Sequence, residues 1–295
     1  MSRYTVGLLG EGIRGSLTPP MHLAEAEVLG LEYEYRVLDL LETGQAAAET
    51  PDIVRRARDD GFAALNITHP CKQLVIPVLD ELSPEAARLE AVNLVLFQDG
   101  RMIGHNTDWT GFQSALVEGL PGARLDHVVQ VGTGGAGAAT AYALLSVGVD
   151  HLVVTDRDLD RAHAVAAKYA SWFPDQVISV HGGDDLARQL AAAAGVVNAT
   201  PVGMARHPGV AIEVSALAPE AWVADIVYRP IETELLRRAR AAGHQVLDGG
   251  RMAVGQAADS IRLITGLEPD ADRMRTHFLR LLAEQGPSSN EEAIA

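Results

Sequence analysis

His127-Val128-Val129-Gln130-Val131-Gly132-Thr133-Gly134-Gly135-Ala136-Gly137 is the stretch that decides the fold. A short β-branched run leads into G-x-G-x-x-G at Gly132–Gly137, and alanine-rich helical sequence opens at about Ala136. In a strand–turn–helix unit each glycine has a physical task. Gly132 permits the tight turn, Gly134 lets backbone approach a pyrophosphate, and Gly137 lets helix and strand pack closely. Gly135 and Ala136 complete the loop, so the helix N-terminus offers its amides and positive dipole end to phosphate. The alternative is a glycine-rich turn with no ligand. The flanking strand and helix, and an acid closing the next strand, favour the dinucleotide.

That acid is Asp156, 24 residues after Gly132. A carboxylate there accepts hydrogen bonds from an unphosphorylated ribose and repels a 2′-phosphate. NAD is therefore expected over NADP, with Arg157 as the complication, since a guanidinium offsets part of that repulsion. Asp156 also has a plain structural reading as a helix cap, but Asp158 is better placed for it.

Outward from the loop, Val128–Val131, Leu152–Thr155, Val177–Val180, Val196–Asn198 and Val223–Val227 read as strands. Helical segments at Ala136–Val147, Leu159–Tyr169, Leu186–Ala194 and Glu232–Ala242 alternate with them, the signature of a doubly wound parallel sheet. Upstream, Tyr4–Gly10, Tyr33–Leu38 and Ala63–Ile67 alternate with helices at Pro19–Leu29, Ile53–Asp59 and Pro70–Leu79. A hairpin around Asp99-Gly100 joins Val92–Phe97 to Met102–Ile103. Gly249–Thr265 and Asp270–Ala283 read as two further helices. The fold class is thus α/β with two domains: an N-terminal α/β substrate domain over 1–105 and a doubly wound Rossmann domain over 106–240. C-terminal helices over 241–285 return to the first domain, and a disordered tail is expected at 286–295.

The 295 residues suit two domains. A net charge of −15 argues against a nucleic-acid or anionic-membrane binder. One cysteine, Cys71, excludes an internal disulfide, and with only His69 nearby no metal is expected. Met1–Gly10 lacks a secretory pattern and no run of 18 apolar residues occurs, so a cytoplasmic protein is expected.

Three polar segments lie outside the dinucleotide domain. Ser16-Leu17-Thr18 places two hydroxyls at a helix start, where they suit an anion or, for Thr18, a cap. In Asn66-Ile67-Thr68-His69-Pro70-Cys71-Lys72, Lys72 falls in the first turn of the following helix. A cation there opposes the macrodipole at about 0.3–1 kcal/mol, which marks either a solvated surface lysine or a functional one. Asp108, in Gly104-His105-Asn106-Thr107-Asp108, reads as a helix cap or as the partner of Lys72 in moving an alcohol proton. The side-chain amide of Asn93 suits a substrate hydroxyl.

Taken in order, these segments resemble the shikimate/quinate dehydrogenase family over nearly the whole chain. Ser16–His22, Asn66–Lys72, Ala91–Asn93, Gly104–Asp108 and the glycine loop carry the likeness. Asn198-Ala199-Thr200-Pro201-Val202-Gly203-Met204 and Asp248-Gly249-Gly250-Arg251-Met252 with Gln256 complete it. The resemblance implies oxidation of a ring hydroxyl of a cyclic polyol carboxylate, such as quinate or shikimate, to a ketone. Ser16 and Thr18 would hold the carboxylate, and Lys72 would move the proton with Asp108 beside it. Thr68, Asn93 and Gln256 would hold hydroxyls or the carboxylate, and Tyr228 would reach the substrate. Thr200, Val202 and Met204 would line the nicotinamide side, near Val227, Gly250 and Met252. Thr18 with Asp156 looks like the NAD-dependent quinate/shikimate branch. An NADP-dependent biosynthetic enzyme, a dehydrogenase of an amino-substituted analogue and a ligand sensor remain alternatives. Leu94 stands where the family usually has threonine; it is harmless in the core and consequential in a pocket. A homodimer is one assembly open to such a chain.

Overall fold

The computed structural model describes residues 3–285, so the tail expected at 286–295 lies outside it. The chain forms two compact units: one from the residues up to Thr107 and again from Val254 onward, the other from Asp108 to Ala253.

Unit one begins β1 (Arg3–Gly10), α1 (Thr18–Val28), β2 (Glu32–Asp39), α2 (Leu40–Thr43), α3 (Thr50–Asp59), β3 (Ala64–Ile67) and α4 (Cys71–Leu74). It continues β4 (Glu81–Leu82), α5 (Pro84–Leu89), β5 (Leu94–Gln98) and β6 (Arg101–His105). The sheet order is β2-β1-β3-β5-β6-β4. It is mixed: β1 pairs in parallel with β2 and β3, while β5 runs antiparallel to β3 and β6. Asp99 and Gly100 both take positive φ, at 50° and 77°, which closes the β5–β6 hairpin as the Asp-Gly signal implies. Strand alternation separates two cores. Leu65, Ile67 and Val95 pack with Val54, Cys71 and Val75, while Ala64, Leu94 and Leu96 pack with Val6 and Ile264.

Unit two holds α6 (Asp108–Gly119), β7 (Val128–Val131), α7 (Gly135–Ser146), β8 (His151–Thr155), α8 (Leu159–Ala170) and β9 (Val177–Val180). After these come α9 (Gly183–Ala192), β10 (Gly195–Asn198), β11 (Trp222–Asp225), α10 (Glu234–Ala241) and β12 (Val246–Leu247). All six strands are parallel in the order β12-β11-β10-β7-β8-β9. The order reverses between β7 and β10, and ligands bind at the strand ends beside such a switch point. Val129, Val153, Val196 and Val223 form its core with Leu235, Leu236 and Ala239 of α10. α11 (Gly249–Thr265) starts in this unit and ends in the first, where α12 (Ala271–Gln285) also packs.

Three local expectations are revised. The second unit runs past 240 to Ala253, because β12 still pairs with β11. Pro70–Leu79 is no single helix: α4 ends at Leu74 and Ile76–Val78 forms a 3₁₀ turn, as Pro77 cannot donate a helical hydrogen bond. Thr18 does not cap α1. Leu17 holds the cap position without a side-chain bond, and Thr18 is the first helical residue.

Candidate active site

In unit one the polar residues stand on loops tied together through their backbones. Buried Asp39, at the end of β2, accepts from the amides of Gly12 and Ile13, both at 2.8 Å. It thereby fixes the loop that delivers Ser16, whose amide bonds the Ile13 carbonyl. Ser16 Oγ accepts from the Thr18 amide at 3.3 Å, so the two hydroxyl-bearing residues form one turn.

Thr68 donates its amide to Leu9 and accepts from Cys71 at its carbonyl, and no side chain caps α4. A Cβ on Gly10 would collide with the Thr68 methyl, so Gly10 keeps that side chain in place. The Lys72 carbonyl accepts from Val92, and the Asn93 carbonyl accepts from Ile67. Lys72, Thr68 and Asn93 are in this way stitched to adjacent strand ends. With α4 only four residues long, there is little macrodipole for Lys72 to oppose, so the sequence argument from helix position loses its force.

Asn93 is buried and accepts from the Thr107 amide at 2.7 Å, while its Nδ2 donates to Thr107 Oγ1 at 3.0 Å. Thr107 Oγ1 donates in turn to the Gln256 carbonyl at 3.1 Å. Asn106 Nδ2 donates to the Ala91 carbonyl. Sequence reasoning took Asn93 for a substrate contact and passed over Asp39, Asn106 and Thr107, which hold the turns. An acid closing a strand, Asp39, was the available signal. Leu94 is fully buried against Val6, Ala64, Leu96 and Ile264, so its departure from the family pattern is a packing change.

In unit two Gly132 has φ +101°, and a Cβ there would lie 2.6 Å from the Ala199 carbonyl oxygen. A Cβ on Gly137 would overlap the Gly132 oxygen, whereas Gly134 and Gly135 face open space. The loop is therefore closed inward and open outward, with α7 starting at Gly135; this is the shape a pyrophosphate needs.

Asp156 is less free than expected. Its side chain is only 6% exposed. Oδ2 accepts from the Thr133 amide and hydroxyl at 2.8 and 2.9 Å, and Oδ1 accepts from the Asp158 amide and from Arg161 Nη2 at 3.0 and 2.6 Å. Burial alone would raise its pKa, but the Arg161 guanidinium and the three neutral donors outweigh that and hold the carboxyl well below the usual range. Asp158 caps α8, as expected. The guanidinium on the carboxylate belongs to Arg161, one helical turn on, which sequence reasoning missed; Arg157 is exposed.

At the end of β10, Asn198 accepts from the Thr200 amide and hydroxyl and donates to the carbonyl of Val202. It also donates to Asp225, which receives Val227 N and Thr233 Oγ1 as well. Thr200, Val202 and Val227 are thus held by one buried network, and Gly203 (φ +111°) turns the chain toward Met204. A Cβ on Gly249 would strike the Ile226 carbonyl, so Gly249 lets the start of α11, the helix that carries Gly250 and Met252, approach the chain just after β11. Tyr228 lies under the Arg229 guanidinium, 6.0 Å from its ring centroid. Asp108 is the first residue of α6. Among the described residues no group of three or more His, Cys, Asp and Glu side chains could hold a metal.

These sites come with clear relatives. A family model described as the shikimate dehydrogenase substrate binding domain matches residues 8–95. The chain is 57% identical over 282 residues to a shikimate dehydrogenase (NADP(+)) of Pseudarthrobacter chlorophenolicus, covering 96% of each. It is 51% identical to a quinate/shikimate dehydrogenase (NAD(+)) of Corynebacterium efficiens, covering 94% of this chain and 98% of that one. The crystal structure of quinate dehydrogenase from Corynebacterium glutamicum with NAD superposes with a TM-score of 0.89 at 48% identity, over 94% and 99% of the two chains. With an ordered set of motifs, two matching units and identity above half over nearly its full length, the chain belongs to the shikimate dehydrogenase family.

Proposed function

We propose that the chain is an NAD-dependent dehydrogenase of quinate or shikimate. When bound, the nicotinamide dinucleotide supplies the hydride acceptor. Gly132, Gly134, Gly135, Ala136 and Gly137 hold its pyrophosphate, and Thr200, Val202, Met204, Val227, Gly250 and Met252 line the nicotinamide side. Ser16 and Thr18 bind the substrate carboxylate; Thr68, Asn93, Gln256 and Tyr228 orient the ring. The Lys72 amine takes the proton of the reacting hydroxyl, and Asp108 is assigned to the same proton step. Removing the proton leaves electron density on the oxygen that helps expel hydride from the same carbon.

The observation that carries NAD is Asp156, a shielded carboxylate held ionised at the end of β8. A 2′-phosphate brought there meets a fixed negative charge, which costs several kcal/mol. The NAD-dependent relative and the NAD-bound structural neighbour agree with this reading. Two observations favour NADP instead: Arg161, paired with Asp156 at 2.6 Å, is 49% exposed and offers its guanidinium to a phosphate, and the relative at 57% identity is named for NADP(+).

Initial rates with quinate and shikimate, each with NAD and NADP at matched concentration, decide between them. A higher kcat/KM with NADP overturns the cofactor assignment. Binding of either acid without reduction of either cofactor would make the protein a sensor. Lys72→Ala should lower kcat by about 10²-fold with little change in the KM of the acid; near-native turnover would remove Lys72 from the proton step.

A further inference from the structure

Gln130 breaks the pattern of its strand. β7 lies in the middle of a parallel sheet, where near-continuous apolar residues are the rule, and its neighbours Val128 and Val129 obey it. Gln130 is fully buried in the same strand. A buried amide is costly unless hydrogen bonded, and this one makes three bonds. Nε2 donates to the Gly132 carbonyl at 2.9 Å and to the Gly137 carbonyl at 2.7 Å. Oε1 accepts from Thr140 Oγ1 at 2.9 Å, and Thr140 is itself fully buried on α7.

The two carbonyls that Gln130 holds are the first and last of the glycine loop. Gly137 also packs directly against Gly132, since a Cβ on Gly137 would overlap the Gly132 carbonyl. One side-chain amide therefore ties both ends of the loop to the strand beneath it. The peptide joining Gly132 to Thr133 is fixed from both sides, its carbonyl by Gln130 and its amide by Asp156. What is left facing outward is the open backbone of Gly134 and Gly135 at the start of α7.

We infer that Gln130 is a positioning residue for the cofactor pyrophosphate: by tying the Gly132 and Gly137 carbonyls inward, it presets the loop whose outward amides receive the phosphates. This rests on the reading of residues 132–137 as the dinucleotide seat. The pyrophosphate is common to NAD, NADP and ADP-ribose, so Gln130 acts equally on all three and has no part in choosing between the first two.

The test is Gln130→Met, which keeps the volume and removes both donors while Thr140 Oγ1 retains the Gly137 carbonyl at 3.1 Å. Dissociation constants for NAD, NADP and ADP-ribose are measured by isothermal titration calorimetry on the full chain. All should rise by a common factor of about tenfold, the loss expected from one or two net hydrogen bonds. At saturating cofactor kcat should stay within about threefold and the KM of the acid should hold. Unchanged affinities with a lowered melting temperature would make Gln130 structural only and overturn the inference, as would factors that differ between NAD and NADP. Native protein that binds none of the three would overturn the dinucleotide seat itself. Should Gln130→Met fail to fold, Thr140→Val removes the donor to the glutamine oxygen together with that hydroxyl's own bond to the Gly137 carbonyl, leaving the Gln130 amide as the side-chain tie on the loop. The three constants should rise together by about threefold as the amide loses its anchor, and no change there would equally overturn the inference.

Discussion

Two carboxylates at strand ends of unit two show how surroundings shift the same group in opposite directions. Asp156 meets a guanidinium and is held ionised. Asp225 is 2% exposed and meets only neutral donors, from Asn198, Val227 and Thr233. Burial dominates there and raises its pKa to about 6 despite those three bonds. In the unfolded chain the same group ionises near its ordinary value of 3.8. Between those two values the folded protein binds the proton and the unfolded chain does not. Asp225 therefore stabilises the fold most fully below about pH 4, and that contribution is lost as pH rises through about 6. The span is worth about 2–3 kcal/mol at about 1.4 kcal/mol per pH unit. Chemical denaturation of native protein and of Asp225→Asn from pH 4 to 7 checks this. The native protein should lose about 2–3 kcal/mol more than the variant over that range. Parallel curves would place Asp225 in the ionised form throughout.

At the scale of elements, β10 and β11 pair so that Gly195 lies opposite Trp222. A Cβ on Gly195 would run into the indole, which is buried and anchored by Nε1 to the Arg124 carbonyl at 2.9 Å. Gly195→Ala should therefore overpack the sheet and cost about 1–3 kcal/mol, read from the denaturant midpoint; a neutral result would mean that the indole yields. Elements of this kind mark the limit of what sequence displays. The strand–turn–helix at Val128–Ser146 was legible because its glycines, its apolar run and its alanines all signal one geometry. The Asp99-Gly100 hairpin was legible because two consecutive positive φ values demand those residue types. By contrast α4 was overextended, because a short apolar run before Pro77 has the same periodicity whether or not the helix continues. Thr18 looked like a cap, since a threonine at a helix start carries no mark of what its hydroxyl meets. The partners of Asp156 and Asn93 were hidden for a related reason. Arg161 and Thr107 are set against them by helix phase and loop closure, and residue type encodes neither.

For the whole molecule, net charge bears on the cofactor choice that Asp156 makes locally. With 39 acidic and 24 basic residues, the chain surrounds itself with a negative field that opposes anionic ligands. A 2′-phosphate adds about 1.5–2 negative charges to the dinucleotide, so that field opposes NADP more than NAD. Its reach depends on salt: the Debye length is about 30 Å at 0.01 M and about 8 Å at 0.15 M. Asp156, with 6% of its side chain exposed, acts at contact distance and is screened far less. The ratio of kcat/KM for NAD to that for NADP should thus fall by about two- to threefold as ionic strength rises from 0.01 to 0.15 M. It should then level off at the value set by Asp156 and Arg161. Initial rates at constant pH across that range measure both parts. A ratio indifferent to salt would assign all of the discrimination to the β8 carboxylate, and a rising ratio would show that the field at the 2′-phosphate is positive, against the sign of the net charge.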